Sequence, residues 1–339
     1  MANVCYTSLP RLRGRLPAWL AVVLALLVSL PLLWLAGPRV AYGPDEPAPR
    51  AAPPAQAAAL DAWLAAQEAA VPGLRPSAAK GIVWHGQPGQ RTPWAVVYLH
   101  GFTATRMETY PLAERVAQGL QANLFHTRLA GHGVPAEALR GVTVQDWLAD
   151  AVEALRIGQA LGERVLVIGT STGATLAAWL ALRPDAAGTA AAQVWLSPNF
   201  GPADARAEWI LGPWGWALTR LLTGGTVGAP HADERINAHW TRVYPAEALV
   251  PMMTLVRRVR DGALEQVRTP VLVLASPRDR TVDVRRIEAA VARLGGPKRL
   301  EWVQDASDEQ QHILAGDLRS PGTTERLAER IVRWARDGA

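Results

Sequence analysis

Short apolar segments rich in β-branched and aromatic residues recur from residue 81 onward, and segments of helical length separate most of them. The seven apolar segments are residues 81–85, 94–99, 123–126, 164–168, 193–196, 270–275 and 300–303. Residues with helical apolar spacing lie at 144–161, 176–182, 284–294 and 325–335. This alternation predicts an α/β fold with a mostly parallel central sheet and helices on both faces. The 339 residues suffice for two domains or for one large domain with an insertion, at ~150 residues per domain.

The alternation is interrupted between residues 199 and 264. Four tryptophans, Trp209, Trp214, Trp216 and Trp240, occur there among glycines and prolines, without a clear strand. We therefore interpret 199–264 as a cap inserted into an α/β domain that covers residues 60–339.

An uncharged apolar run extends from Leu16 to Ala36, with Arg11, Arg13 and Arg15 directly before it. At ~1.5 Å per residue the run covers about 30 Å, enough to cross a bilayer, whereas the apolar part of a cleaved signal is usually about 7 to 15 residues. Residues 1–37 are thus predicted to be a membrane anchor, with a cleaved signal as the alternative. Because positive charge stays on the cytoplasmic side, the body is expected on the periplasmic side.

Residues 38–59 contain six prolines. This composition is typical of a semi-extended linker, and we expect it to hold the folded domain away from the bilayer.

Charge and cysteine content exclude several classes of function. The chain has 35 basic and 30 acidic residues. Four of the basic residues, Arg11, Arg13, Arg15 and Arg39, lie in a stretch without an acidic residue, so the body is almost neutral and is not expected to bind nucleic acid. The single cysteine, Cys5, precedes the apolar run, which leaves the body without a thiol nucleophile or an internal disulfide.

The residues that carry chemistry begin at Gly169-Thr170-Ser171-Thr172-Gly173, which follows the apolar strand 164–168 and precedes a helical run. A G-x-S-x-G sequence between a buried strand and a helix is typical of a nucleophile elbow, whose turn requires small residues on both sides of the serine. Ser171 is therefore the candidate nucleophile. The alternative is that Ser171 only caps the helix.

A serine nucleophile needs a histidine base, which in this type of fold follows the last strand. His312 lies on the loop after residues 300–303. The other six histidines, His85, His100, His126, His132, His231 and His239, lie outside that segment. His312 is thus the candidate base.

The orienting acid is expected between the serine and the histidine in the chain. Asp279 follows the strand 270–275 by four residues. Asp283 is the rival, but it directly precedes a helix that it can cap. Asp305 and Asp308 share the loop of His312 and are interpreted as shaping it.

An oxyanion hole requires two backbone N–H groups. The residue after the nucleophile, Thr172, supplies one, and Phe102, after the strand 94–99, supplies the other. His100 is interpreted as packing beneath this loop. Gly131-His132-Gly133 is interpreted as a loop that borders the site.

The motifs VYLHGFT, RLAGHG, VQDWLAD, GTSTG, SPRDRTVD and HILAGD, in this order, resemble the α/β-hydrolase superfamily, and most closely its bacterial carboxylesterase and monoacylglycerol-lipase-like branch. The resemblance extends over residues 60–335. It implies a core sheet of the eight-stranded type with an inserted cap. It also implies a Ser171-Asp279-His312 triad, an oxyanion hole from Phe102 and Thr172, and no cofactor or metal.

The expected function is hydrolysis of carboxylic esters, of small molecules or lipids, through an acyl-serine intermediate. Thioesterase, peptidase or cofactor-free peroxidase activity requires the same residues, so these alternatives stay open. A non-catalytic, membrane-tethered binding protein is the alternative from another class.

Overall fold

The computed structural model describes residues 17–338. The predictions that concern Cys5, Arg11, Arg13 and Arg15 lie outside the described residues. Nine strands occur in the described part of the chain: β1 (Gly81–Val83), β2 (Thr92–Leu99), β3 (Asn123–His126), β4 (Gly162–Thr170), β5 (Ala192–Leu196), β6 (Thr226–Gly228), β7 (Val243–Pro245), β8 (Val271–Ala275) and β9 (Lys298–Trp302).

Seven of these strands form one central sheet in the order β1-β3-β2-β4-β5-β8-β9. Only β1 is antiparallel to its neighbour, and all other neighbours are parallel. The predicted α/β class with a mostly parallel sheet is confirmed. Within the described residues the sheet has seven strands rather than the eight-stranded type implied by the resemblance, because the chain before β1 is helical and rich in proline.

Helices cover both faces of the sheet. In chain order, the helices of the described residues are α1 (Ala18–Leu35), α2 (Leu60–Ala69), α3 (Leu112–Leu120), α4 (Val144–Leu161), α5 (Thr172–Leu182), α6 (Pro184–Ala187), α7 (Gly215–Thr223), α8 (Glu234–His239), α9 (Leu249–Asp261), α10 (Val284–Arg293) and α11 (Pro321–Gly338). Helix α1 is not among those on the sheet, since none of its residues is buried. Alternate residues of the central strands face two separate cores: Val97 and Val167 pack with α4, α5 and α9, whereas Val96 and Leu166 pack with α3 and α11.

The inserted segment contains α7 and α8 and, contrary to the sequence prediction, two short strands. Strands β6 and β7 pair antiparallel over three residues each. Strands of this length are too short to show apolar alternation, which is why the sequence did not indicate them. The last part of the predicted insertion, α9, packs in the main core through Met253 and Val256, so the cap ends before Leu249.

The Pro-rich segment 38–59 lies along the surface of the domain. Asp45 accepts hydrogen bonds from Trp179 Nε1 and Arg183 Nη1, both at 2.9 Å. Arg50 pairs with the buried Asp150 of α4, and Ala57 is buried. The linker therefore lies against the domain, because its charged side chains find partners on α4 and near the end of α5.

Helix α1 is the one helix of the described residues that is long and apolar enough to cross a membrane. Its 18 residues include no charged side chain and none is buried against the protein.

Candidate active site

Ser171 lies on the sharp turn between β4 and α5. Its backbone adopts φ 53° and ψ −115°, a strained conformation of the kind that nucleophile elbows show. Glycines on both sides allow the turn: a Cβ on Gly173 would lie 2.0 Å from the Leu99 carbonyl oxygen, and one on Gly169 would lie 2.5 Å from the Gly173 carbonyl oxygen. The turn therefore needs small residues, as the sequence predicted.

The structure brings His312 and Asp279 together. His312 Nδ1 lies 2.7 Å from Asp279 Oδ2, while Asp279 Oδ1 accepts hydrogen bonds from the N–H groups of Thr281 at 2.8 Å and Val282 at 3.0 Å. Burial alone would lower the pKa of His312, but the Asp279 carboxylate, assisted by Asp308, holds that pKa above its ordinary value. This arrangement leaves Nε2 as the nitrogen that can receive a proton.

The predicted oxyanion-hole residues line the same cavity as Ser171 and His312. Within the described residues, neither the N–H of Phe102 nor that of Thr172 donates a hydrogen bond. Thr172 is the first residue of α5, where a free N–H carries part of the positive end of the helix dipole. Both groups are thus available to an oxygen of a bound molecule.

The cavity has a volume of about 360 Å³. Its outer wall comes from cap residues, including Ile236, Trp240 and Tyr244, and its inner wall includes Met252 and Ile313. Ser171 is 8% and His312 7% exposed. Most of the exposed surface of the cavity is apolar, although polar and charged side chains, among them Asn199, Arg242 and Arg319, also line it. A concave site of this composition is typical of small-molecule binding.

Comparison with known proteins identifies the family. The model of the "Alpha/beta hydrolase family" matches residues 96–316, which include every site residue above. The chain belongs to the alpha/beta hydrolase family. It is 28% identical over 244 residues to the "Thermostable monoacylglycerol lipase" of Bacillus sp. (strain H-257), covering 72% of this chain and 92% of that protein.

Solved structures agree on the fold. A structure from the work on LipS and LipT, two metagenome-derived lipolytic enzymes, superposes with a TM-score of 0.63 at 20% identity, covering 78% of this chain and 99% of the other. The monoacylglycerol lipase of Paleococcus ferrophilus gives a TM-score of 0.55 at 16% identity, over 76% and 97% of the two chains.

Two buried histidines hold the loops of this hydrolase in place, as the sequence indicated. His100 bridges the Gly101 carbonyl, at 2.9 Å from Nδ1, and the Leu129 N–H, at 3.1 Å from Nε2. His132 Nε2 accepts from Thr103 N–H at 2.9 Å. Burial lowers the pKa of His100 well below its ordinary value and that of His132 to about 4, so both rings stay neutral.

The other aspartates have local roles. Asp283 caps α10, where its Oδ1 accepts from Arg285 N–H at 3.0 Å. Asp308 is buried and accepts the N–H groups of His312 at 2.9 Å and Ile313 at 3.2 Å. Asp308 therefore shapes the His312 loop as predicted. Asp305, on the same loop, is exposed and pairs with Arg326 of α11 instead, so the shaping role predicted for it is not seen.

The sequence did not indicate Glu108 as a residue of the site. Glu108 is buried, lines the same cavity as Ser171 and accepts the Gly101 N–H at 2.7 Å. The Tyr98 hydroxyl donates to it at 3.3 Å and lies 3.0 Å from Thr170 Oγ1, beside Ser171. Burial raises the pKa of Glu108 to about 8. The sequence shows only that an acidic residue follows Gly101 by seven positions. No pattern in the sequence distinguishes this residue from other acidic residues of the chain.

Among residues 17–338, no group of three or more His, Cys, Asp or Glu side chains is arranged to hold a metal ion.

Proposed function

We propose that this alpha/beta hydrolase cleaves carboxylic esters through an acyl-enzyme on Ser171. One observation supports this proposal above all: His312 forms a 2.7 Å hydrogen bond with Asp279 and lines the same cavity as Ser171. Phe102 and Thr172, whose backbone N–H groups donate no hydrogen bond within the described residues, line that cavity too. These are the nucleophile, base, orienting acid and oxyanion donors that acyl transfer requires.

The reaction has two halves. Ser171 Oγ attacks the ester carbonyl carbon while His312 Nε2 takes the hydroxyl proton, and the carbonyl oxygen becomes an oxyanion that accepts the Phe102 and Thr172 N–H groups. The C–O bond to the leaving alcohol then breaks as His312 returns the proton to that alcohol. In the second half His312 takes a proton from water while the water oxygen attacks the acyl carbon. The bond between that carbon and Ser171 Oγ then breaks as His312 returns the proton to Oγ, which releases the carboxylic acid. In the free protein the described residues show no Ser171–His312 hydrogen bond, and such bonds often form only when substrate binds.

We assign the substrate class as esters with a hydrocarbon acyl chain, monoacylglycerols among them. The apolar side chains around the cavity, including Ile236, Trp240 and Met252, favour such a chain. The volume of about 360 Å³ lies near the lower end of the ~300–1,000 Å³ usual for small-molecule sites. The similarity of the chain to a monoacylglycerol lipase also supports this substrate class.

Steady-state kinetics on p-nitrophenyl esters, from acetate to palmitate, test this function. Ser171→Ala and His312→Ala should each lower kcat by about 10⁴-fold, and the double variant should lose little more, because the two groups act as a unit. Ser77→Ala, outside the cavity, is the matched control. A Ser171→Ala protein with more than a tenth of the wild-type activity would exclude the assignment.

We also propose that α1 is a retained anchor that places the hydrolase on the periplasmic side of the membrane. Its apolar length and the three arginines before it support this orientation. A periplasm-specific reporter fused after Ala339 should be active, and activity of a cytoplasm-specific reporter would contradict the orientation.

A further inference from the structure

The exposed apolar side chains of the folded domain are concentrated in the cap. Beyond residue 60, the large apolar residues that the structure describes as exposed are Val83, Tyr110, Trp209, Trp214, Leu218, Leu221, Leu222 and Val243. Five of the eight lie between residues 209 and 222, and among them Leu221 is 76% and Leu222 84% exposed. Concentrated exposure of this kind marks an interaction surface.

Helix α7 arranges part of this surface as a stripe. Leu218, Leu221 and Leu222 occupy positions i, i+3 and i+4, which lie on one side of a helix. Trp209 is 67% exposed and lines, with Leu218 and Leu222, one groove beside α7. We call Trp209, Leu218, Leu221 and Leu222 the cap face.

The cap face adjoins the last turns of α1. Trp214, at the start of α7, donates from Nε1 to the Leu33 carbonyl at 3.2 Å and from its backbone N–H to the Pro38 carbonyl at 2.8 Å. A second, strongly apolar groove has residues 30–35 of α1 on one side and Leu218 and Leu221 of α7 on the other. The end of the proposed anchor and the cap are therefore in direct contact.

This contact fixes the level of α7 relative to a bilayer. From Leu30 to Leu35 the axis of α1 rises by about 7.5 Å, at ~1.5 Å per residue. If α1 crosses the membrane, α7 lies within that distance of the end of the apolar span. Interfacial helices bury their apolar face to a similar depth, about 5–10 Å into the boundary between headgroups and acyl chains.

We propose that the cap face lies in the outer leaflet of the bilayer that α1 spans, so that the hydrolase rests on the membrane through its cap. The occupant is lipid rather than a second protein because the surface continues into α1, whose own side chains are exposed. Arg220, exposed on α7, can reach lipid phosphates with its long side chain. The proposal rests on α1 being a retained anchor.

The docked orientation has a consequence for substrate entry. Leu249 lines both the active-site cavity and the groove formed by Trp209, Leu218 and Leu222. One side chain therefore borders both spaces, and a single-chain lipid ester that leaves the leaflet along α7 has a short apolar route toward Ser171.

Site-specific fluorescence tests the depth of the cap face without relying on catalysis. Full-length protein with Cys5→Ser and a single new cysteine, Leu222→Cys, is labelled with a nitrobenzoxadiazole fluorophore and reconstituted in vesicles of phosphatidylcholine and phosphatidylglycerol. Ala289→Cys, on the exposed side of α10, is the matched control. We expect a blue-shifted emission at 222 that lipids with a doxyl group near the headgroup quench, and neither effect at 289.

Two results would overturn the proposal. One is equal quenching of both labels by aqueous iodide with no effect of doxyl lipid, which would place the cap face in water. The other is protection from iodide without doxyl quenching, which would show that protein rather than lipid covers the surface.

Kinetics separate this inference from the proposed function. Leu221→Ser with Leu222→Ser should lower the rate on monoacylglycerol in vesicles by about tenfold, because two apolar side chains no longer enter the leaflet. The rate on p-nitrophenyl acetate in water should not change. Val83→Ser, at an exposed apolar position away from the cap, should alter neither rate. If the double variant and the wild type hydrolysed monoacylglycerol in vesicles at equal rates, the cap face would not dock on the membrane. Ser171→Ala, by contrast, should lose activity on both substrates, and that result tests the proposed ester hydrolysis and not the docking.

Discussion

Asp279 and Asp283 lie four residues apart, but their carboxylates have different partners. Asp279 contacts the imidazole of His312, whereas Asp283 caps α10 and pairs with Arg285. Asp279→Asn should lower kcat on p-nitrophenyl acetate by about 10³–10⁴-fold with little change in Tm, because the imidazole loses the group that selects its tautomer. Asp283→Asn is the matched control and should leave kcat within about twofold, since Asn caps helices almost as well. The reverse pattern would assign the acid to Asp283.

Glu108 gives the site a second titrating group beside His312. His312 must be neutral to accept the serine proton, so kcat/KM should rise as the pH passes through its raised pKa. Glu108 is neutral below its pKa of about 8. Above that pH Glu108 is a carboxylate beside Gly101. Its charge repels the negative charge that develops on the substrate's carbonyl oxygen as that oxygen accepts the Phe102 N–H, so kcat/KM should fall.

The pH profile of Glu108→Gln tests this role. Glutamine stays neutral and still accepts the Gly101 N–H, so the fall above about pH 8 should disappear while the acidic limb remains. An unchanged alkaline limb would exclude Glu108 as its origin. The free energy of unfolding should also depend on Glu108. Its pKa in the folded protein, about 8, exceeds the ordinary value of 4.5. The stability that the neutral carboxyl contributes is therefore complete below about pH 4.5 and is lost as the pH rises toward 8.

The sequence predicted the residues that meet in the cavity because each follows a strand of a parallel sheet, and the carboxyl ends of such strands share one edge. Ser171, Asp279 and His312 were found in this way. Glu108 was not, because its contact with Gly101 depends on how the loop after β2 folds back. The catalytic roles of these residues remain proposals.

At the scale of elements, the join between β4 and α5 should tolerate little change. A Cβ on Gly173 would lie 2.0 Å from the Leu99 carbonyl oxygen of β2. Gly173→Ala should therefore lower the free energy of unfolding by about 1–3 kcal/mol and displace Ser171. Gly322→Ala is the control, since nothing lies within 4 Å of its added Cβ, and it should stabilise α11 by about 0.5–1 kcal/mol. Urea unfolding measures both, and equal stability of the two variants would contradict the close packing.

Long elements were easier to predict than short ones. The helix predicted at residues 144–161 has those bounds in the structure, where the capping box of Thr143 and Asp146 fixes its start. The three-residue strands β6 and β7 carry no comparable signal, and α9 was assigned to the cap because periodicity does not tell a core helix from an inserted one.

At the scale of the whole molecule, the linker holds the proposed anchor against the domain. Arg50 of the linker pairs with Asp150, whose side chain is 2% exposed. Arg50→Ala leaves this buried carboxylate with fewer partners and should lower the free energy of unfolding by about 1–3 kcal/mol. Arg206→Ala removes an exposed ion pair with Asp204 and should change it by less than about 0.5 kcal/mol. Thermal unfolding distinguishes the two, and an unaffected Arg50→Ala protein would show that the linker is free.

The docked linker was not visible in the sequence, because proline-rich composition indicates an extended chain but not the surface on which that chain lies. The overall α/β architecture was visible, since it follows from strand and helix order alone.

Trapping the covalent intermediate tests whether Ser171 is the nucleophile. The protein is mixed with p-nitrophenyl acetate, quenched in acid during turnover, digested and analysed by mass spectrometry, with Ser171→Ala as the control. We expect one acetyl group on the peptide that contains Ser171, and none on that peptide in the control. Ester turnover without an adduct on Ser171, or with the adduct on another residue, would contradict it.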